Sequence, residues 1–241
     1  MMNNQPLIEV FSRHSLDFYP VVPFDPIKDK LLLFDFTADN KDISANILDD
    51  TQKFTNYVNQ KLRTANAKFG IGGYDELREV YSRSNIFSSP TALSTNEEGE
   101  PRRLHLGIDI WGKPYTPVSS PLNGIVHSFA FNNYFGDYGA TLVISHNIQG
   151  ISFHTLYGHL SLNSIKNYRE GENVRKGDII GEFGIPMENG QWPPHLHFQV
   201  IIDMEDWRGD YPGVCKHSEG EKYLENCPDP DLILQMMRYA L

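Results

Sequence analysis

Residues 104–111 read LHLGIDIW and alternate strictly. Leu104, Leu106, Ile108 and Ile110 fall on one face, and His105, Gly107 and Asp109 on the other. A period of two is the mark of a half-buried strand. The stretch therefore predicts β structure, with an imidazole and a carboxylate on the side away from the core. A straight strand would hold residues four apart at roughly 13 Å, given about 3.3 Å per residue. Two ligands of one metal ion, each bonded at about 2 Å, must come far closer. The strand must therefore bend or end between them, and Gly107 stands where a bend costs least.

The same alternation recurs outward from this point. GIVHSFAF (124–131), ATLVISH (140–146), ISFHTLYGHL (151–160), DIIGEFG (178–184) and HLHFQVII (195–202) are short runs separated by Gly, Pro, Asn and Asp. Such runs predict the strands and turns of an antiparallel β core, a mainly β domain over about 100–205. Residues 1–99 read as an α/β N-terminal extension with one helix at about 51–69. Phe54, Tyr57, Val58, Leu62 and Ala65 recur there at helical spacing, with Asp49, Asp50 and Thr51 as cap oxygens and Gly70 as the terminating residue. LLLFDF (31–36) predicts a short strand, and YPVVPFDP (19–26) cannot be regular helix. The polar stretch SSPTALSTNEEGE (88–100) reads as a linker carrying the domain boundary. Residues 206–241 read as an irregular tail ending in a short helix, LILQMMRYAL (232–241).

Composition narrows the function. The chain has 241 residues, 40% hydrophobic, with a formal net charge of −10. That charge argues against nucleic acid or an anionic membrane as the main partner. No run approaches the length of a membrane span. The N-terminus MMNNQPLIEV has no basic start, apolar core or small-residue cleavage site. The expected compartment is the cytoplasm if the chain is complete as given, and periplasmic or extracellular if a signal was removed. The two cysteines, Cys215 and Cys227, form no CxxC, so a thiolate metal site is unsupported. Whether they pair is open, as is the oligomeric state.

In PPHLHFQV (193–200), His195, His197 and Gln199 share one face. Residues two apart on a strand lie about 7 Å apart at Cα, which suits one metal ligand and one neighbour acting on water. His159 closes an apolar strand in TLYGHLS (155–161). A lone histidine on a strand is ordinarily a packed residue. HxGxD, a strand-end His and HxH within one hundred-residue β segment are a different matter. Two imidazoles and a carboxylate with one position left open are the donor set of a catalytic, not a structural, zinc site. The remaining histidines, 14, 127, 146, 154 and 217, read as surface or packing residues.

These motifs resemble the lysostaphin-type (LytM-like) zinc endopeptidases, bacterial cell-wall peptidases built on a small antiparallel β core. The resemblance rests on HLGID (105–109), LNGIV (122–126), YGATLVISH (138–146), LYGHLS (156–161), VRKGDIIGEFG (174–184) and PHLHF (194–198). It implies one zinc ion held by His105, Asp109 and His197, with His159 and His195 as the catalytic pair. It also implies hydrolysis of peptide bonds in peptidoglycan stems or cross-bridges by metal-activated water. IPMENGQWPP (185–194) is bulkier than the small turn the family uses there. Two other functions compete: intracellular hydrolysis of a small peptide or amide unrelated to peptidoglycan, and a non-catalytic binding module on the same fold. GGYDELREVYSRSNIF (72–87) carries Tyr74, Glu76, Arg78 and Tyr81. Arg78 is a candidate to bind a substrate carboxylate should this segment cover the site; the alternative is a surface helix end with ordinary charges.

Overall fold

A computed structural model of the protein describes residues 4–88 and 99–241. The linker read at 88–100 falls almost wholly on residues outside this set. In chain order the first elements are α1 (Gln5–Arg13), β1 (Leu31–Leu33), α2 (Ala45–Leu48), α3 (Thr51–Ala65), β2 (Phe69–Gly72) and β3 (Glu76–Leu77). Two short 3-10 turns follow at Glu79–Arg83 and Asn85–Phe87. Then come β4 (Arg102–His105), β5 (Ile108–Trp111), β6 (Pro117–Ser119), β7 (Gly124–Asn132), β8 (Gly139–Ile148) and β9 (Ile151–Leu160). The chain closes with α4 (Leu162–Ile165), β10 (Asn173–Val174), β11 (Ile179–Glu182), β12 (His195–Ile201), β13 (Val214–Lys216), α5 (Gly220–Asn226) and α6 (Asp231–Leu234).

Strands dominate, and eight of them form one sheet in the order β1-β2-β5-β12-β9-β8-β7-β10. Every pairing in it is antiparallel except β1 with β2. The two N-terminal strands β1 and β2 thus continue the sheet that carries the site. A three-stranded sheet, β13-β4-β3, stands beside it.

LHLGIDIW does break. Its first half is β4 in the small sheet and its second half is β5 in the large one, with Leu106 and Gly107 at the joint. The break divides the apolar set that alternation placed on one face. Leu104 and Leu106 enter a cluster with Tyr138, Val143 and Leu156, whereas Ile108 and Ile110 enter the main core with Phe153, Tyr157 and Phe198. Gly107 is required for packing: a Cβ there would stand 2.5 Å from the His197 ring.

Helix α3 buries Phe54, Val58 and Leu62, and the Asp50 carboxylate caps it by accepting from the Gln52 and Lys53 amides. It stops at Ala65, four residues short of expectation. Asn66, not Gly70, takes the left-handed terminating conformation at φ 50°. Gly70 lies within β2, where a Cβ would meet the Phe34 ring. The C-terminal helix is also shorter than read. Asp231 accepts from the Met236 and Met237 amides, Gln235 turns left-handed, and Ala240 bridges back to Leu31. The tail before it is more regular than expected, since it contributes β13 and α5. Cys215 and Cys227 are both buried free thiols, and burial pushes each up to about 12. Among the described residues no helix is long and apolar enough to cross a membrane.

Candidate metal centre

Strand register builds the site. Asp109 on β5 pairs with Gly72 on β2 on one side and with His197 on β12 on the other, and His197 in turn pairs with Gly158 on β9. One row across four strands therefore carries a carboxylate and an imidazole side by side. The break after β4 folds His105 back onto the same spot. His105 Nε2 lies 2.9 Å from His197 Nδ1 and 3.4 Å from Asp109 Oδ1, and His197 Nδ1 lies 3.1 Å from Asp109 Oδ1. Of the described His, Cys, Asp and Glu side chains, His105, Asp109 and His197 are the set that converges closely enough to share one metal ion.

Proton bookkeeping shows what this cluster suits. His105 Nδ1–H donates to the Gly73 carbonyl at 2.8 Å. His197 Nε2–H donates to Gln199 Oε1 at 2.9 Å, and Gln199 is itself anchored through its amide nitrogen to the Pro212 carbonyl. Each ring therefore turns a bare lone pair toward the other and toward a carboxylate oxygen. Three such atoms at about 3 Å repel one another unless a cation lies among them. Donors bonded at about 2 Å around a tetrahedral ion stand at about this separation. The donor set, two nitrogens and one oxygen, fits zinc, and the carbonyl and amide acceptors behind the rings are the usual second support of such a site.

Electrostatics agree. Burial and the Arg78 charge beside it push the His105 imidazole down to about 3. Burial alone would raise Asp109, but the facing His105 and Arg78 outweigh it and hold the carboxylate well below its ordinary range. Both donors thus sit in their metal-binding protonation states at neutral pH.

His159 and His195 flank the cluster. Their rings lie 4.1 Å apart, and His195 Nε2 is 3.9 Å from Asp109 Oδ1. Each spends its Nδ1–H on a backbone carbonyl, His159 on Asn189 and His195 on Pro193, both at 2.8 Å. Nε2 is left as the acceptor on both rings. Burial drives both pKa values down, His195 to about 4. His195 is clamped further by Trp111, stacked at 3.9 Å. His159 is aimed by a bulge: Ala140 pairs with Leu160 and Leu142 with Tyr157, so Gly158 and His159 together oppose Thr141. His159 takes φ 62° there, a costly conformation for a non-glycine residue and a recurrent sign of a functional position.

A narrow cleft of about 160 Å³ opens onto these residues, with Tyr81, Phe87, Tyr138, Trp192 and Tyr211 among its walls. Arg102, Asp137 and Asp210 also line it, and burial pushes Asp210 up to about 6. The bulky loop 185–194 is tied by Asn189, whose side chain donates to the Gly184 and Trp192 carbonyls and accepts from the Trp192 amide.

Arg78 matches neither expectation for it. It is 1% exposed, so it is no surface charge, and its guanidinium is engaged rather than turned to a substrate. Nη1 donates to Asp109 Oδ2 at 2.5 Å, Nε to Glu76 at 2.5 Å and Nη2 to the Gly72 carbonyl at 2.9 Å. Sequence reading also missed Tyr138, Asn189 and Trp111. Gln199 had been visible through its shared parity with His195 and His197. His14, His127, His146, His154 and His217 lie outside the cluster; His146 is held by the Asn123 carbonyl and Thr155.

An antiparallel β scaffold thus holds a candidate His/Asp/His cation site with two further imidazoles in a cleft. Among known families, residues 103–208 match the model of Peptidase family M23. The L-Ala--D-Glu endopeptidase of Bacillus subtilis (strain 168) is 31% identical over 119 residues, 46% of this chain and 34% of the relative. The chain thus spans about a third of the length of that curated relative. Among solved structures, a zinc containing peptidase from Vibrio cholerae is 28% identical, covering 47% of this chain and 29% of that one, at a TM-score of 0.33. The catalytic domain of lysostaphin from Staphylococcus simulans is 21% identical, covering 71% and 98%, at a TM-score of 0.37.

Proposed function

We propose that this chain is a zinc-dependent endopeptidase that hydrolyses an amide bond in peptidoglycan stem or cross-bridge peptides. The observation that carries the reading is the convergence of three bare donor atoms within 3.4 Å of one another, beside two neutral imidazoles in an open cleft. His105 through Nε2, Asp109 through Oδ1 and His197 through Nδ1 would hold the ion. Bound zinc supplies a Lewis acid and water of lowered pKa. His159 and His195 do the proton work. With Nδ1–H fixed on backbone carbonyls, each presents Nε2 to accept a proton from the attacking water and return it to the leaving amine. Their clamped rings keep that geometry without reorganisation. The name of the Bacillus subtilis relative supports the L-Ala–D-Glu bond of a stem peptide as the first substrate to try.

The small cleft volume and its aromatic walls favour a second reading of the substrate, a short soluble peptide rather than cross-linked wall. A panel separates them. Zinc-loaded and chelator-stripped protein is incubated with purified cell wall, stem peptides, pentaglycine and short dipeptides, and new amines are counted. Zinc-dependent cleavage of stem peptides is expected. No cleavage of any substrate by protein that holds zinc would end the peptidase reading and leave a binding module.

A further inference from the structure

Arg78 comes from outside the M23 segment: β3 ends at Leu77, and the family match begins at residue 103. Yet it touches the centre of the site. Its guanidinium bonds Oδ2 of Asp109, the oxygen that does not face the two imidazoles. Four restraints fix it there: Glu76, the Gly72 carbonyl, the Phe36 face 5.4 Å away, and Gly73, whose missing side chain leaves room for the guanidinium. A buried cation beside a cation site is costly. Arg78 repels the ion that Asp109 attracts, so it cannot be there to strengthen metal binding.

We propose that Arg78 is a positioning residue that holds Asp109 to one-oxygen ligation and so keeps the metal's fourth position open. A free aspartate next to a divalent ion can bind with both oxygens. Oδ2 here is committed to a charge-assisted bond with a guanidinium that cannot lose its proton. Oδ1 alone then faces the ion, and the remaining position belongs to water and substrate. The charge count fits as well. Asp109, Glu76 and Arg78 sum to −1, so a divalent ion leaves the buried centre at +1, which favours negative charge developing on the reacting oxygen. The N-terminal extension thereby sets the coordination of a centre whose ligands all lie in the M23 segment.

The role of Arg78 rests on the metal reading of the site but not on the substrate, so its test reads coordination and affinity as well as turnover. The full chain is stripped with chelator and loaded with cobalt, as wild type, Arg78→Met and Arg78→Lys. Wild type should show the intense visible absorption of a four-coordinate ion. Arg78→Met should lose that intensity several-fold as Asp109 closes on the ion with both oxygens, while zinc affinity by chelator competition stays level or rises. Its kcat should fall on the order of 10–100-fold at unchanged KM. Arg78→Lys should recover part of the spectrum, since an ammonium can hold Oδ2 less firmly. A wild-type spectrum in Arg78→Met, or weakened zinc binding with the spectrum retained, would overturn the proposal. Where Arg78→Met does not fold, the Arg78→Lys spectrum decides: unchanged intensity together with lowered zinc affinity marks a merely supportive role. Failure of wild type to bind cobalt at all would instead strike the metal reading itself.

Discussion

Asp109 and His197 face each other as register partners across β5 and β12, with Oδ1 and Nδ1 3.1 Å apart. That pairing puts two donors together from residues 88 positions apart and needs no special loop. His105 then has to reach them only across the β4–β5 break. The first prediction follows from this dependence. His105→Ala and Asp109→Asn should both lose bound zinc and hydrolysis together, measured as metal per chain after dialysis. Asp109→Ala should in addition destabilise the fold by about 1–3 kcal/mol in urea, because the buried Arg78 would keep Glu76 but lose its bond to Asp109. Retention of zinc by His105→Ala would show that the cluster is not the ligand set.

His159 and His195 should separate from the ligands in the same assays. Neither belongs to the convergent donor set, and both are held by backbone carbonyls that their removal leaves in place. His159→Ala and His195→Ala should keep zinc at wild-type stoichiometry and lose roughly 10²–10⁴-fold in kcat, the usual worth of a positioned acid or base. Full activity in His159→Ala would remove it from the mechanism.

Much of this was legible in the sequence because strands write their burial pattern in steps of two. The expected runs at 124–131, 151–160 and 195–202 lie within a residue or so of β7, β9 and β12, and HxGxD predicted its own break. Parity also set Gln199 beside His197. What alternation cannot carry is pairing. LLL at 31–33 and the glycine-interrupted FGIG at 69–72 give no sign of joining the site sheet, because a glycine-rich strand has little side-chain pattern to read. DELREV reads either as cover for the site with Arg78 toward a substrate or as a surface helix end with ordinary charges, since nothing local signals that Arg78 is buried against a carboxylate 31 residues away. The helix read over 232–241 was apolar enough, but Asp231 folds its carboxylate onto the next turn and ends it, a contact no periodicity reports.

Acid should unfold the chelator-stripped protein through its buried histidines. His146 is the cleanest case, since it lies away from the metal cluster. Burial pushes its pKa from 6.5 down to about 4, against some support from the Asn123 carbonyl. As pH falls, the unfolded chain takes up this proton near its ordinary value while the folded chain resists until near about 4. Its contribution is therefore complete above about pH 6.5 and lost between about 6.5 and 4. His105 and His195, lowered to about 3 and about 4, act in the same direction. The urea midpoint should fall steadily from about pH 7 to about pH 4.5, and less steeply in His146→Gln. A midpoint flat across that range would contradict the buried neutral rings.

Gly73 should tolerate no side chain, for two separable reasons. Its φ of 103° is a backbone conformation that L-residues avoid, and a Cβ there would overlap Arg78 Nη2. The backbone term alone costs on the order of 1–2 kcal/mol. The steric term acts elsewhere: the guanidinium must leave Asp109 Oδ2, and the Gly73 carbonyl that accepts from His105 Nδ1 must shift with it. Gly73→Ala should therefore lower the unfolding free energy by more than the backbone term and also disturb the metal centre, changing the cobalt spectrum in the direction of Arg78→Met. The double variant Gly73→Ala/Arg78→Met removes the clash and keeps the strained φ. Measured against Arg78→Met alone, it should cost only the backbone term, and it should recover none of the spectrum. A stability loss confined to the backbone term, with an unchanged spectrum, would show that Gly73 serves the turn alone.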